Sequence, residues 1–220
     1  DRLDPETKEK IALFCDVPTA AVFSNPDVED IYHVPLVVEE EGLDEHVMER
    51  LNLADEAVPK PERDNRWREL VTRDREGSVD IALVGKYDLE DAYMSVHEAL
   101  KHAGIERQVE VNVEWVDSDK MHDEHASRLR DADGVVVPGG FGSRGTRGKI
   151  EAIRYAREND VPFLGLCLGF QMAVVEYARN VLGLEGAHSA EIDADTPYPV
   201  IDLLPEQYDL EDLGGTMRLG

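Results

Sequence analysis

The sequence predicts an α/β protein built on a three-layer, open and mostly parallel sheet, and three observations predict it. Beyond residue 79, short apolar runs alternate with amphipathic stretches of helical length. Two of those runs, Ile81-Ala82-Leu83-Val84-Gly85 and Gly134-Val135-Val136-Val137-Pro138, contain no charged residue, as expected of strands buried on both faces. Strand and helix patterns follow one another singly, which is the order of repeated βαβ units.

Taken in order, the first 53 residues are helical and broken. Thr7 to Phe14 is predicted as a short helix and Ala20 to Ser24 as a short strand. Asp27 to His33 and Leu43 to Leu51 are predicted as helices, with interruptions at Pro35 and Gly42. Cys15, between Phe14 and Asp16, reads as a core thiol. Residues 54–64 are polar, hold Pro59 and Pro61 and lack periodicity, so they read as a linker. A helix around Trp67, Leu70 and Val71 completes a connecting segment over 54–78. The second domain then begins at 79 and runs to 220.

Within it, Ile81 to Gly85 is a buried strand and Ala92 to His102 a helix. Val109 to Trp115 alternates at period two, the mark of a strand with one wet face. His122 to Arg130 is a helix, Gly134 to Pro138 a strand and Gly148 to Glu158 a helix. Phe163 to Leu166 and Gln171 to Val181 give the last strand and helix. No internal repeat or low-complexity tract interrupts the series.

Composition narrows the function classes. The 220 residues carry 23 basic and 48 acidic side chains, a net charge of −25, with 42% hydrophobic residues. Such a polyanion is repelled by nucleic-acid phosphate and anionic lipid, and no apolar run is long enough for a membrane span. Carboxylates spread over a chain with this much apolar sequence fit a soluble, cytoplasmic protein adapted to high salt rather than a disordered one. Two cysteines, Cys15 and Cys167, are too few for a disulfide framework.

Chemistry concentrates at two strand ends. In Gly165-Leu166-Cys167-Leu168-Gly169 a thiol stands between two glycines where a strand meets a helix, the layout of a nucleophile elbow. The helix would aim its free N–H groups and positive dipole end at the sulfur, and the Leu168 N–H would help hold an oxyanion. Taken alone, the motif fits a buried structural cysteine better. One βα unit earlier comes Pro138-Gly139-Gly140-Phe141-Gly142-Ser143-Arg144-Gly145, a loop at the same carboxyl edge of the sheet. It lacks the spacings of a phosphate-binding loop. The two motifs together favour acyl transfer by cysteine.

Such a nucleophile needs a base, and none stands out. His188 lies in an irregular stretch, and His97 and His102 sit on a helix expected to pack elsewhere. His122-Asp123-Glu124-His125 has metal-like spacing but reads as a solvated face, so no metal site is assigned.

Gly139 to Gly145, Gly165-Leu166-Cys167-Leu168-Gly169-Phe170-Gln171 and Asp212-Leu213-Gly214-Gly215-Thr216-Met217-Arg218-Leu219-Gly220 together resemble the CTP synthase family. The first two resemble class I glutamine amidotransferases generally; the third is more specific. Lys8 to Cys15 and Asp27 to Tyr32 resemble the end of that family's synthase domain. Val84-Gly85-Lys86-Tyr87, Asp91-Ala92-Tyr93 and Ser95-Val96 resemble the start of its glutaminase domain. The resemblance implies a class I glutaminase-like fold preceded by the C-terminal part of an α/β P-loop-type synthase domain over residues 1–53.

It also implies a reaction. The synthase part uses ATP and Mg²⁺ to phosphorylate O4 of UTP, and ammonia released from glutamine displaces the phosphate to give CTP. By resemblance, Cys167 is the nucleophile, and Gly140 and Leu168 supply oxyanion donors. Gly169, Phe170, Gln171 and Glu191 belong to the glutamine site, with Glu191 accepting from the substrate's α-ammonium. Lys10 matches a UTP or CTP contact, and Asp27 and Val28 lie near the ATP adenine. The Gly139–Gly148 loop resembles the lid through which GTP activates; CTP is implied as inhibitor and a homotetramer as the assembly. The family's phosphate loop and its His-x-Glu have no counterpart in these residues, and Phe170 replaces a commoner Met. The chain is therefore expected to be an internal slice cut through both domains, inactive by itself, with Mg²⁺ ligands outside it. Two other readings stay open: a different cysteine hydrolase of the same fold, and a non-catalytic module.

Overall fold

In the computed structural model, residues 1–53, 66–87, 90–121 and 125–203 are described, and the chain divides into two units, Asp1–Asp74 and Arg75–Gly220. The expected linker over 54–64 and the Asp212–Gly220 motif lie outside the described residues.

The first unit is helical. Helix α1 (Pro5–Cys15) starts where the Asp4 carboxylate accepts the Thr7 N–H at 2.8 Å, with Pro5 in the first turn, where its missing N–H costs nothing. It buries only Ala12, so Cys15 is exposed and the core-thiol reading is corrected. The strand expected at Ala20–Ser24 does not form either. A 3₁₀ turn covers Thr19–Ala21, and beyond it the Ser24 N–H donates to the Glu41 carboxylate at 3.0 Å. That carboxylate also takes Lys8 at 2.7 Å, and the pair of donors pulls it down to about 2. A side chain has taken the donor that a neighbouring strand would have used. The helix expected at Asp27–His33 is likewise reduced to a 3₁₀ turn over Ile31–His33, capped by the Asp30 side chain. Pro35 does not interrupt a helix; it sits in the first turn of α2 (Val34–Glu40). Helix α3 (Leu43–Arg50) follows the left-handed Gly42, and α4 (Arg66–Thr72) joins this unit by a Trp67 Nε1 hydrogen bond to the Tyr32 carbonyl at 3.1 Å.

The second unit holds the sheet. Strands β1 (Ser78–Gly85), β2 (Glu110–Asp117), β3 (Gly134–Val137) and β4 (Phe163–Gly165) are all parallel, in the order β2-β1-β3-β4. The connecting helices are α5 (Met94–Arg107), α6 (His125–Arg128), α7 (Thr146–Glu158) and α8 (Leu168–Asn180). Side-chain alternation along the central strands divides the core in two. Ala82, Val84, Val135 and Val137 pack with Ile150, Ile153, Met172 and Val175 of α7 and α8. Leu83 and Val136 face the other way, with Tyr93 and with Val96 and Leu100 of α5. Helices thus cover both faces, and the three-layer expectation holds.

Some limits differ. Helix α5 runs on to Arg107, whereas the described part of the helix expected over His122–Arg130 spans only His125–Arg128. A second, two-stranded parallel sheet joins β5 (His188–Ser189) to β6 (Pro199–Ile201), so His188 is in a strand and not in an irregular stretch.

Candidate active site

The site is built at the carboxyl ends of β3 and β4. Cys167 is the residue between β4 and α8, with φ 52° and ψ −112°, a left-handed conformation rarely adopted by a residue with a side chain. The flanking glycines explain how it is held there. A β-carbon on Gly165 would stand 2.7 Å from the Phe170 nitrogen, and one on Gly169 only 1.9 Å from the Val137 oxygen. The turn is thereby pressed onto the sheet, and the thiol is left exposed and free of any disulfide. The 13-residue helix α8 begins at the next residue, so its N-terminal dipole end adjoins the sulfur.

The glycine loop after β3 lies against this elbow. A β-carbon on Gly139 would be 3.4 Å from the Cys167 Cβ and 3.9 Å from its Sγ. One on Gly140 would be 3.7 Å from a Leu168 methyl and 3.7 Å from the Lys149 Nζ. The structure therefore brings together Gly139, Gly140, Cys167 and Leu168 from two separate βα turns.

Three side chains hold the loop by its carbonyls. Lys149 Nζ donates to the Pro138 oxygen at 3.0 Å, the Tyr93 hydroxyl to the Gly139 oxygen at 3.4 Å, and Lys86 Nζ to the Phe141 oxygen. Arg144 folds back from the loop to the Lys86 carbonyl at 2.7 Å. Lys149 is fully buried, and burial, with the Lys86 charge second, lowers it to about 8, against a smaller opposing pull from Cys167. Burial raises Tyr93 above the ordinary phenol range. Lys86 and Tyr93 carry part of the sequence resemblance, but none of these three holders is assigned a role in the site from the sequence. The signal for Lys149 was present, since it shares the α7 face of Ala152, Ile153 and Ala156, all buried.

The remaining candidates are dispersed. The Gln171 N–H donates to the Cys167 carbonyl at 3.1 Å in the first turn of α8, and Phe170 is exposed on the same turn. Glu191 is exposed in the segment after β5. Lys10 is exposed on α1 and pairs with Glu6 at 2.6 Å, while Asp27 is exposed and Val28 half-buried in the first unit. His188 turns Nδ1 to the Ser189 N–H at 2.8 Å, and burial, then Arg179, hold it below the usual histidine range. Among the described residues no histidine hydrogen-bonds the Cys167 thiol, and no three His, Cys, Asp or Glu side chains cluster as a metal site.

Comparison with known proteins agrees with this geometry. The family description "Glutamine amidotransferase class-I" matches residues 88–220, and "CTP synthase N-terminus" matches residues 1–53. The CTP synthase of Haloarcula hispanica is 78% identical over 220 residues, covering 100% of this chain and 40% of that protein. That of Archaeoglobus fulgidus is 56% identical over 223 residues, covering 100% of this chain and 41% of its own. The chain thus spans about two fifths of the length of these curated relatives. A solved Trypanosoma brucei CTPS glutaminase domain with bound acivicin superimposes with a TM-score of 0.54 at 40% identity, covering 58% of this chain and 51% of that one. The chain belongs to the class-I glutamine amidotransferase family, and ahead of that match it carries a segment matching a CTP synthase N-terminus, an arrangement aligned along its whole length with CTP synthases.

Proposed function

We propose that this chain is the junction of a CTP synthase, and that its second unit makes ammonia from glutamine at Cys167. The observation that carries the reading is the left-handed Cys167 at the start of α8, packed against Gly139 of the neighbouring loop. The thiolate attacks the side-chain carboxamide carbon of glutamine. A C–S bond forms and the carbonyl electron pair moves to oxygen, where the Gly140 and Leu168 N–H groups receive it. Collapse of this adduct breaks the C–N bond, and the nitrogen leaves as ammonia carrying the proton that the thiol gave up on forming the thiolate. Water then cleaves the thioester to glutamate and regenerates the thiol. Gly169, Phe170 and Gln171 shape the glutamine site, and Glu191 accepts from the α-ammonium.

The first unit serves the ligase half, in which ATP activates O4 of UTP and ammonia displaces the phosphate. Lys10 contacts the UTP or CTP nucleotide, and Asp27 and Val28 flank the ATP adenine. GTP activates through the Gly139–Gly148 loop, CTP inhibits, and the enzyme works as a cytoplasmic homotetramer. The described residues do not fit Mg²⁺, having no suitable ligand cluster.

The test is Cys167→Ala in the enzyme at the full length of its relatives. Glutamine-dependent CTP formation should fall at least about 1,000-fold while synthesis from added ammonia persists. The 220-residue polypeptide, assayed beside it, should make no CTP from UTP, ATP and glutamine. Loss of the ammonia-dependent reaction together with the glutamine-dependent one would show that the cysteine is structural.

A further inference from the structure

Lys149 is the largest of the fully buried side chains, yet it lies on an apolar helix face and forms no ion pair among the described residues. Its Nζ donates to the Pro138 carbonyl and stands beside Gly140. An ammonium is costly to bury among Ala152, Ile153 and Ala156 unless it does something there. Its position is also fixed. Gly148, the residue before it, leaves no room for a β-carbon, which would fall 1.8 Å from the Ser118 oxygen, so the start of α7 cannot slide.

We propose that Lys149 is a positioning residue for glutamine hydrolysis, holding the Pro138–Gly140 backbone so that the Gly140 N–H meets the oxyanion formed on Cys167. The proposal rests on reading Cys167 as the nucleophile. Lys149 acts on the peptide and touches neither substrate nor sulfur. Its charge lies behind the loop that receives negative charge in the transition state, so its field favours the oxyanion. Lys86 and Tyr93 hold the next carbonyls of the same loop, and Lys149 anchors its root.

The groups facing Lys149 are few. Lys86 follows β1 and Cys167 precedes α8, while the Tyr93 hydroxyl is engaged by the Gly139 carbonyl. Asp119 of the turn after β2 is engaged by Arg144, Lys120 by Asp117, and Glu176 of α8 by Arg157. No carboxylate among these neutralises Lys149. Proton loss from it near pH 8 should therefore reduce hydrolysis, giving the rate a falling alkaline limb.

The experiment compares the full-length enzyme with Lys149→Met and Lys149→Arg. Methionine fills the same volume without the charge. In Lys149→Met, kcat for glutamine hydrolysis should fall about 10- to 100-fold with KM little changed. The alkaline limb should vanish, and ammonia-dependent synthesis should stay at its normal rate. In Lys149→Arg the limb should move above pH 10, because a guanidinium does not titrate there. A Lys149→Met enzyme with normal kcat and an unchanged alkaline limb would overturn the proposal. So would wild-type hydrolysis that keeps rising from pH 7.5 to 9.5, a measurement that needs no variant to fold. Cys167→Ala separates the two readings: full hydrolysis in that variant defeats the nucleophile itself, whereas failure of the lysine proposal leaves Cys167→Ala inert.

Discussion

The α-carbon of Gly169 lies against the carbonyl oxygen of Val137, so closely that a β-carbon would stand 1.9 Å from it. That oxygen also accepts the Leu166 N–H at 2.9 Å, so one carbonyl at the end of β3 meets both sides of the cysteine turn. The contact joins the last residue of a buried strand to the first turn of α8, and it sets how deep the elbow sits. Because both partners are backbone, neither can swing aside. Gly169→Ala should force the helix start off the sheet, which places it beyond ordinary overpacking at about 3 kcal/mol or more. Urea unfolding should register that loss, and alkylation of Cys167 by a glutamine-mimicking reagent should slow in parallel. Unchanged values of both would mean that the helix start can shift at no cost.

Further along, α8 is tied to α7 by charge. Arg157 of α7 reaches both carboxylate oxygens of Glu176 on α8, at 2.8 Å and 3.1 Å, and Asn180 adds a third donor at 3.1 Å. The Glu176 side chain is 1% exposed, while Arg157 remains 34% exposed. The asymmetry decides which deletion hurts. Arg157→Ala strands a buried carboxylate and should cost about 3 kcal/mol, reduced somewhat by water reaching the vacated side. Replacing both partners, as Arg157→Met with Glu176→Leu, should recover most of it. A single-variant loss below about 1 kcal/mol in denaturant titration would mean the carboxylate is solvated after all.

The contrast between legible and illegible parts follows from range. The Ile81–Gly85 half of β1 and strand Gly134–Val137 announce themselves because burial on both faces demands uninterrupted apolar residues, whereas the Ser78–Asp80 half of β1, with Ser78 and Asp80 exposed, does not. The elbow is legible because its backbone needs glycine at fixed spacing from Cys167. The segment around Ser24 is not, since its backbone N–H finds its partner in the Glu41 carboxylate, seventeen positions away and just past the end of α2. The two-residue strand at His188 is too short for any period to show. Lys149 sat in plain helical register with buried residues, but its meaning depends on a carbonyl eleven residues earlier, which only folding brings within 3.0 Å. Phe14, 89% exposed beside the expected core thiol, shows the reverse error, an apolar residue that this unit does not bury.

Salt should matter as much as any one contact. The chain has 48 acidic and 23 basic residues, so carboxylates remain in excess even if every basic group were paired, and the net charge stays at −25. Several pairs are solvent-accessible, among them Arg147–Glu151 and Arg154–Glu158 one helical turn apart, and each contributes only about 0.3–0.5 kcal/mol. Screening weakens these pairs and weakens the repulsion among the excess carboxylates at the same time. The repulsive sum is the larger, because it runs over many unpaired charges at long range, and the Debye length shrinks from about 10 Å at 0.1 M to about 3 Å at 1 M salt. Raising KCl from 0.1 M to 2 M should therefore raise the melting temperature by roughly 10 °C, equivalent to about 3 kcal/mol for a chain of this size. The 78% identity to a Haloarcula protein agrees with that environment. Calorimetry across the KCl series is the direct measurement. A melting temperature that stays flat or falls would mean that the carboxylate excess is not what sets stability, and that the surface pairs are worth more together than singly.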